Sequence, residues 1–297
     1  MSSVPTSSLA ERRKKFRAAL DARKALLVPG AANALTARII EDAGFEAIYI
    51  TGAGIANTLL GAPDIGLVTM TEIAGVTGTI SEISDLPLVV DMDTGFGNAL
   101  NTHRTVKVLE RAGAAAVQIE DQVFPKKCGH FDGKGVIPAA EMAQKVRAAS
   151  EARDDPNFLI IARTDARAIE GMDAALERAQ RYIEAGADLT FVEAPTSVEE
   201  MRAITSALDV PQVANMVVGG RTPLLDQVAL AEIGFSLILY ANTPLQAAMR
   251  AMGDVLGALK RDGNLDAVRD RLTEFDERQR FVHKDVYDAL EKRYAVE

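Results

Sequence analysis

Along the chain, apolar runs of three to five residues recur, each followed within three residues by a Gly, Asp, Asn or Glu and then by a longer amphipathic stretch. The runs are Ala25–Val28, Ala47–Ile50, Leu88–Val90, Ala115–Ile119, Phe158–Ala162, Leu189–Val192, Gln212–Ala214 and Leu237–Tyr240. Between them, helical spacing covers Ala34–Ala43, Met70–Ser84, Thr102–Ala112, Ala139–Ala152, Met172–Ala185, Val198–Leu208, Leu224–Ile233 and Pro244–Lys260. The pairs Ala43-Gly44, Ala112-Gly113 and Ala185-Gly186 suit helix C-caps, and Ser8 with Glu11 forms a capping box that opens an N-terminal helix. Strict alternation of strand and helix means parallel strands joined by crossover helices. Eight such units predict an α/β fold, a (β/α)8 TIM-type barrel. An open doubly wound sheet is the alternative, but no Gly-x-Gly-x-x-Gly follows the first run. No linker divides the chain. Residues 1–23 read as an N-terminal helix, 24–261 as the barrel and 262–297 as a polar helical tail, together one barrel domain.

Composition narrows the partners. With 297 residues, 48% of them hydrophobic, the chain can bury a large core. A net charge of −9 argues against nucleic acid or an anionic membrane. One cysteine excludes an internal disulfide and fits a reducing compartment. No apolar run reaches the roughly 20 residues that span a bilayer, and the first residues carry no targeting signal. The expectation is a cytoplasmic protein acting on a small molecule.

In a barrel the strand C-termini build the active site. Here they read Tyr49, Thr51, Gly52, Ala53; then Asp91, Asp93; then Glu120, Asp121, Gln122; then Arg163, Thr164, Asp165; then Glu193, Asn215, Tyr240 and Asn242. Asp91, Asp93 and Glu120 are three carboxylates on adjacent strand ends. Hard oxygen donors without His or Cys suit Mg2+ or Mn2+. The plainer alternative is that one of them pairs with Arg163. Arg163 suits capture of a carboxylate or phosphonate, or a structural pairing with Glu193. The Thr51–Gly54 turn lets backbone N–H groups approach an anion. After Glu120 comes a stretch without periodicity that holds Cys128, flanked by Lys126, Lys127 and His130, a setting that favours a thiolate. It is either a functional lid or a surface loop with an incidental thiol.

These residues fall into a known pattern. Tyr49-Ile50-Thr51-Gly52-Ala53-Gly54, Pro63-Asp64-Ile65-Gly66, Asp91-Met92-Asp93-Thr94-Gly95-Phe96-Gly97 and Ile119-Glu120-Asp121-Gln122 occur in that order. They are followed by Lys126-Lys127-Cys128-Gly129-His130, Ala162-Arg163-Thr164-Asp165-Ala166 and Phe191-Val192-Glu193-Ala194-Pro195. Between about Ala25 and Met252 the chain resembles the isocitrate lyase/phosphoenolpyruvate mutase superfamily, nearest its small methylisocitrate lyase, dimethylmalate lyase and petal death protein group. The resemblance implies a Mg2+-dependent carbon–carbon lyase that cleaves a 2-hydroxy di- or tricarboxylate to a 2-oxo acid and a carboxylate. Phosphonate chemistry or oxaloacetate cleavage is the alternative reading. It implies Asp64, Asp91, Asp93 and Glu120 around the metal, several through water. Thr51, Gly52, Ala53, Gly129, His130, Arg163 and Asn215 would bind substrate. Cys128 would be the general acid, Tyr49 would sit near the substrate hydroxyl, and Arg163 and Glu193 would complete the catalytic set. It implies also a homotetramer, a dimer of dimers that exchange the eighth helix. Where many such lyases carry a glutamate after the position of Asn215, this chain has Val218.

Overall fold

The computed structural model describes residues 5–127, 129 and 133–296. All eight expected strands form: β1 (Leu26–Ala31), β2 (Ile48–Ile50), β3 (Leu88–Asp91), β4 (Ala114–Glu120), β5 (Leu159–Thr164), β6 (Leu189–Val192), β7 (Val213–Asn215) and β8 (Leu237–Tyr240). They pair in parallel in the order β6-β5-β4-β3-β2-β1-β8-β7, and the ring closes where Thr190 bridges Gln212. This is the TIM-type barrel. Alternation along each strand sorts residues to two layers. Tyr49, Val89, Ala116, Ile161 and Phe191 fill the interior, while Ile50, Val90, Val117 and Ile160 pack outward under the helices.

The N-terminal helix Leu9–Asp21 closes the floor, because Phe16 and Leu20 join the interior cluster. Its capping box forms as expected, with Ser8 accepting from the Glu11 N–H and Glu11 accepting from the Ser8 N–H. Ahead of it, Asp85 accepts from both the N–H and hydroxyl of Thr6 and of Ser7. The three Ala-Gly pairs end their helices, with Gly44, Gly113 and Gly186 at φ of 84°, 106° and 110°.

Some boundaries differ from the apolar pattern, each for a local reason. β1 runs on through Pro29 to Ala31, since a parallel ladder there forfeits only the one N–H that proline lacks. Asn98 and Asp226 cap helices at Ala99–Arg111 and Gln227–Ile233, and capping oxygens rather than apolar spacing set those starts. Thr51–Gly54 is no simple turn. Thr51 caps a helical turn, Gly52–Ile55, that continues as a π-turn to Leu60. Three small residues hide the helical period. The tail forms the two expected helices, Phe275–Phe281 and Lys284–Tyr294, after a 3-10 segment. The helix Thr243–Asp262 does not bury its stripe on its own barrel: Met249, Met252 and Leu256 are 58%, 54% and 61% exposed.

Candidate active site

The strand ends converge as the barrel requires. Tyr49, Thr51, Ala53, Asp64, Asp91, Glu120, Gly129, Arg163, Glu193 and Asn215 all line one cavity of about 70 Å³, a few water molecules' worth. Two expected residues stand just behind its wall. A Cβ on Gly52 would crowd Asp91 Oδ2 at 3.2 Å and Asp93 Oδ1 at 3.3 Å, so glycine lets the helical turn sit against the acids. Asp93 follows β3 in a left-handed conformation, φ 48°, with Met92 turned into the core between the two acids. Cys128 and His130 lie outside the described residues, although Lys127 and Gly129 on either side of the thiol position line the cavity. Val218 is 68% exposed, and its neighbour Val217 takes the place in the cavity wall.

Charge dominates the geometry. Six carboxylates, Asp64, Asp91, Asp93, Glu120, Asp165 and Glu193, share three cations, Lys126, Lys134 and Arg163. Arg163 Nε and Nη2 donate to Asp165 at 2.9 and 3.1 Å, and the guanidinium lies 3.3 Å from both Glu120 and Glu193. Its pairing with Glu193 and with Glu120, weighed from the sequence, is therefore present, but Asp165 holds it more closely. Burial opposes the charge on Arg163, yet Asp165, Glu193 and Glu120 outweigh it and hold the group charged. Lys126 reaches under the loop to Asp64 at 2.5 Å and Asp93 at 3.0 Å. Lys127 instead turns to the Gly133 carbonyl. Burial pushes Asp93 up to about 7 and raises Glu120 well above the usual carboxylate range, against the pull of the nearby cations. Tyr49 is raised by burial and then by Asp91.

The donor set fits a hard divalent cation. All its ligand atoms are oxygens, a surplus of negative charge remains, and buried Glu120 Oε1 has no hydrogen-bond partner among the described residues. Among those residues, no three Asp, Glu, His or Cys side chains converge closely enough to clasp an ion unaided. In this arrangement Lys126 takes up Asp64 and Asp93. Asn215 Oδ1 is likewise buried and unpaired, an acceptor facing the cavity.

Sequence reasoning missed Lys126 and Lys134 as site residues, because a loop without periodicity gives no direction to its side chains. It named Asp121, Thr164 and Asp165 at the strand ends but not the post they form behind the lysines. Asp121, fully buried, accepts from Thr164 Oγ1 at 2.7 Å, the Asp165 N–H at 2.9 Å and the Tyr182 hydroxyl at 2.8 Å. A larger groove of about 550 Å³ runs along the outer side of the loop, past Met70, Phe96 and Phe124. It carries only Glu141 and Lys145 as charges, so the chemistry belongs to the smaller cavity.

The phosphoenolpyruvate phosphomutase family model matches residues 16–260. The chain is 43% identical to the 2,3-dimethylmalate lyase of Eubacterium barkeri over 95% of its own length and 98% of the relative's. It is 44% identical to the 2-methylisocitrate lyase of Aeropyrum pernix, over 88% and 84%. The solved complex of phosphonopyruvate hydrolase with oxalate and Mg2+ superposes with a TM-score of 0.86 at 30% identity, covering 95% of this chain and 99% of that one.

Proposed function

The chain belongs to the phosphoenolpyruvate mutase/isocitrate lyase superfamily, and from that footing we propose a carbon–carbon lyase cutting a 2-hydroxy di- or tricarboxylate of the dimethylmalate or methylisocitrate type. The observation that carries this reading is the cluster of strand-end carboxylates that shares one cavity with Arg163, reached from the loop by Lys126 and lined there by Lys127 and Gly129. Asp64, Asp91, Asp93 and Glu120 would hold Mg2+ or Mn2+, several of them through water. When bound, the ion supplies positive charge to the oxygen that becomes the 2-oxo group. Thr51 and the N–H groups of Gly52 and Ala53 would hold the adjoining carboxylate, an electrostatic role. Tyr49 would sit near the hydroxyl, whose proton passes through water at the cavity carboxylates to solvent as the C2–C3 bond breaks. The bonding pair stays on the departing carbon, stabilised by its carboxylate. Arg163 and Asn215 hold that half, Glu193 fixes Arg163, and Cys128 protonates the carbanion. Gly129 and His130 cover the same end. Oxalate would mimic the 2-oxo acid half.

The setting is cytoplasmic in this proposal, and the assembly a homotetramer of helix-exchanged dimers. The exposed stripe of Thr243–Asp262 supports a second copy as its cover. No helix among the described residues is long and apolar enough to cross a membrane.

The test is turnover by chelated protein of dimethylmalate, methylisocitrate, oxaloacetate and phosphonopyruvate, with and without added Mg2+. Pyruvate from one of the first two, only with metal, is expected. Phosphate from phosphonopyruvate without C–C cleavage overturns the lyase reading, and full activity after exhaustive chelation sinks the metal.

A further inference from the structure

Where β4 and β5 run out, a side chain takes over the ladder. Their last register pair sets Glu120 opposite Arg163, and the Asp121 N–H still donates to the Arg163 carbonyl at 3.3 Å. In parallel pairing the next rung would run from the Asp165 N–H to the Asp121 carbonyl. That carbonyl instead accepts from the Ile137 N–H, and the Asp121 carboxylate takes the Asp165 N–H at 2.9 Å. Thr164 Oγ1 donates to the same carboxylate at 2.7 Å. Alternation points the acid outward, in line with Val117 and Ile119, toward the helix Met172–Glu184. From one face of that helix Tyr182 donates its hydroxyl at 2.8 Å. Arg178, one turn earlier, approaches at 3.4 Å and is itself clamped by Glu170 through two bonds.

Apolar residues would hold this helix to the sheet as well as a buried acid does, so the use of the network lies elsewhere. It leads inward. Asp165 binds Nε and Nη2 of Arg163, and a planar guanidinium gripped at two donors aims the others in one direction. Lys134 also donates to Asp165, but from the loop, whereas Asp121 belongs to the barrel frame. We propose that Asp121 is a positioning residue for Arg163: braced by Tyr182 and Arg178, it fixes the backbone at Thr164–Asp165, and Asp165 then holds the guanidinium aimed at a substrate carboxylate. The substrate end of this proposal rests on the lyase reading and deepens it. Asp121 stands outside the cavity lining, so a change there reaches a bound anion through the posture of Arg163.

The experiment compares the full-length parent with Asp121→Ala, Asp121→Asn and Tyr182→Phe by two readings beside Tm. One is the Nε–H resonance of Arg163 in protein carrying isotope-labelled arginine, identified as the signal lost in Arg163→Lys. The other is affinity for oxalate with Mg2+, by calorimetry. Asp121→Ala should move the Arg163 resonance and weaken oxalate about 10-fold or more, the lower worth of a hydrogen bond to a charged group. Asp121→Asn keeps an oxygen for the Asp165 N–H and should recover most of both. Tyr182→Phe removes one brace and should move both readings the same way, oxalate by about threefold. It carries the test if Asp121→Ala does not fold. In an Arg163→Lys background Asp121→Ala should cost oxalate nothing further, since residues acting in series do not add. An Arg163 resonance and an oxalate affinity unmoved by either substitution overturn the proposal, whatever happens to Tm. So does an oxalate loss as large in the Arg163→Lys background as in the parent, which marks a general loosening. A parent that binds no oxalate, yet whose Arg163 resonance moves with Asp121→Ala and returns with Asp121→Asn, sinks the lyase reading and leaves Asp121 as the residue that positions Arg163.

Discussion

At the scale of single residues, the cavity is organised by where charge is left uncompensated. Asp93 sits in a strained left-handed conformation, 5% exposed, beside other acids, where nothing about packing requires a carboxylate. Such groups are kept for function, and the fold tolerates their loss. Asp93→Ala should therefore abolish metal-dependent turnover while the circular dichroism spectrum stays that of the parent. A second measurement separates metal from mere chemistry. Mg2+ should raise the Tm of the parent, as any ion held by the folded cluster alone would, and should leave the Tm of the variant unmoved. An equal Mg2+-induced shift in both proteins removes Asp93 from the ion's surroundings. Gly30 shows the opposite kind of residue. A Cβ there would lie 1.8 Å from the Ala241 carbonyl oxygen, so its constraint is the backbone contact of β1 with the end of β8, not chemistry.

At the scale of elements, the N-terminal helix is held by a carboxylate from elsewhere. Asp85 takes four donors from Thr6 and Ser7 and lies 3.3 Å from Arg12, which itself donates to the Ser84 carbonyl. Burial alone would raise its pKa, but these donors win and hold it well below the usual carboxylate range. A depressed folded pKa stabilises the folded protein above the unfolded value near 4 and loses that contribution as pH falls below it. Thermal melts should thus show the parent losing more stability than Asp85→Asn between about pH 5 and pH 2. Parallel curves for the two proteins would assign acid sensitivity to other groups. The helix itself stays anchored through Phe16 and Leu20, so the change loosens the strap and leaves the barrel floor in place.

At the scale of the whole molecule, the helix Thr243–Asp262 is where the proposed assembly is tested. A helix with an apolar stripe normally buries it on its own domain, and here Ala258 is its only buried residue. Met249, Met252, Leu256 and Leu259 face outward, as do Phe275 and Tyr287 in the tail. Exposed apolar area of this kind marks an interface. Mass measured by light scattering at micromolar concentration should be a multiple of 31.8 kDa. Met252→Glu with Leu256→Glu should lower it and reduce Tm together. A parent that runs as a monomer would show that the stripe is merely solvated.

The order of elements was legible in the sequence because period-2 and period-3.6 patterns are local. Eight runs ending in polar residues predicted eight strands, and the strand C-termini named Tyr49, Asp91, Glu120, Arg163, Glu193 and Asn215 before any coordinates did. In a closed parallel barrel, strand ends meet by topology, so listing them lists the cavity wall. Capped helix starts at Asn98 and Asp226, and the helical turn hidden in Gly52–Gly54, escaped the apolar pattern because a hydrogen bond or a close approach defines them. Lys126, Lys134 and the Asp121–Asp165 post were decided by tertiary structure alone. A loop residue's direction depends on which distant carboxylate it meets, and that pairing has no period along the chain.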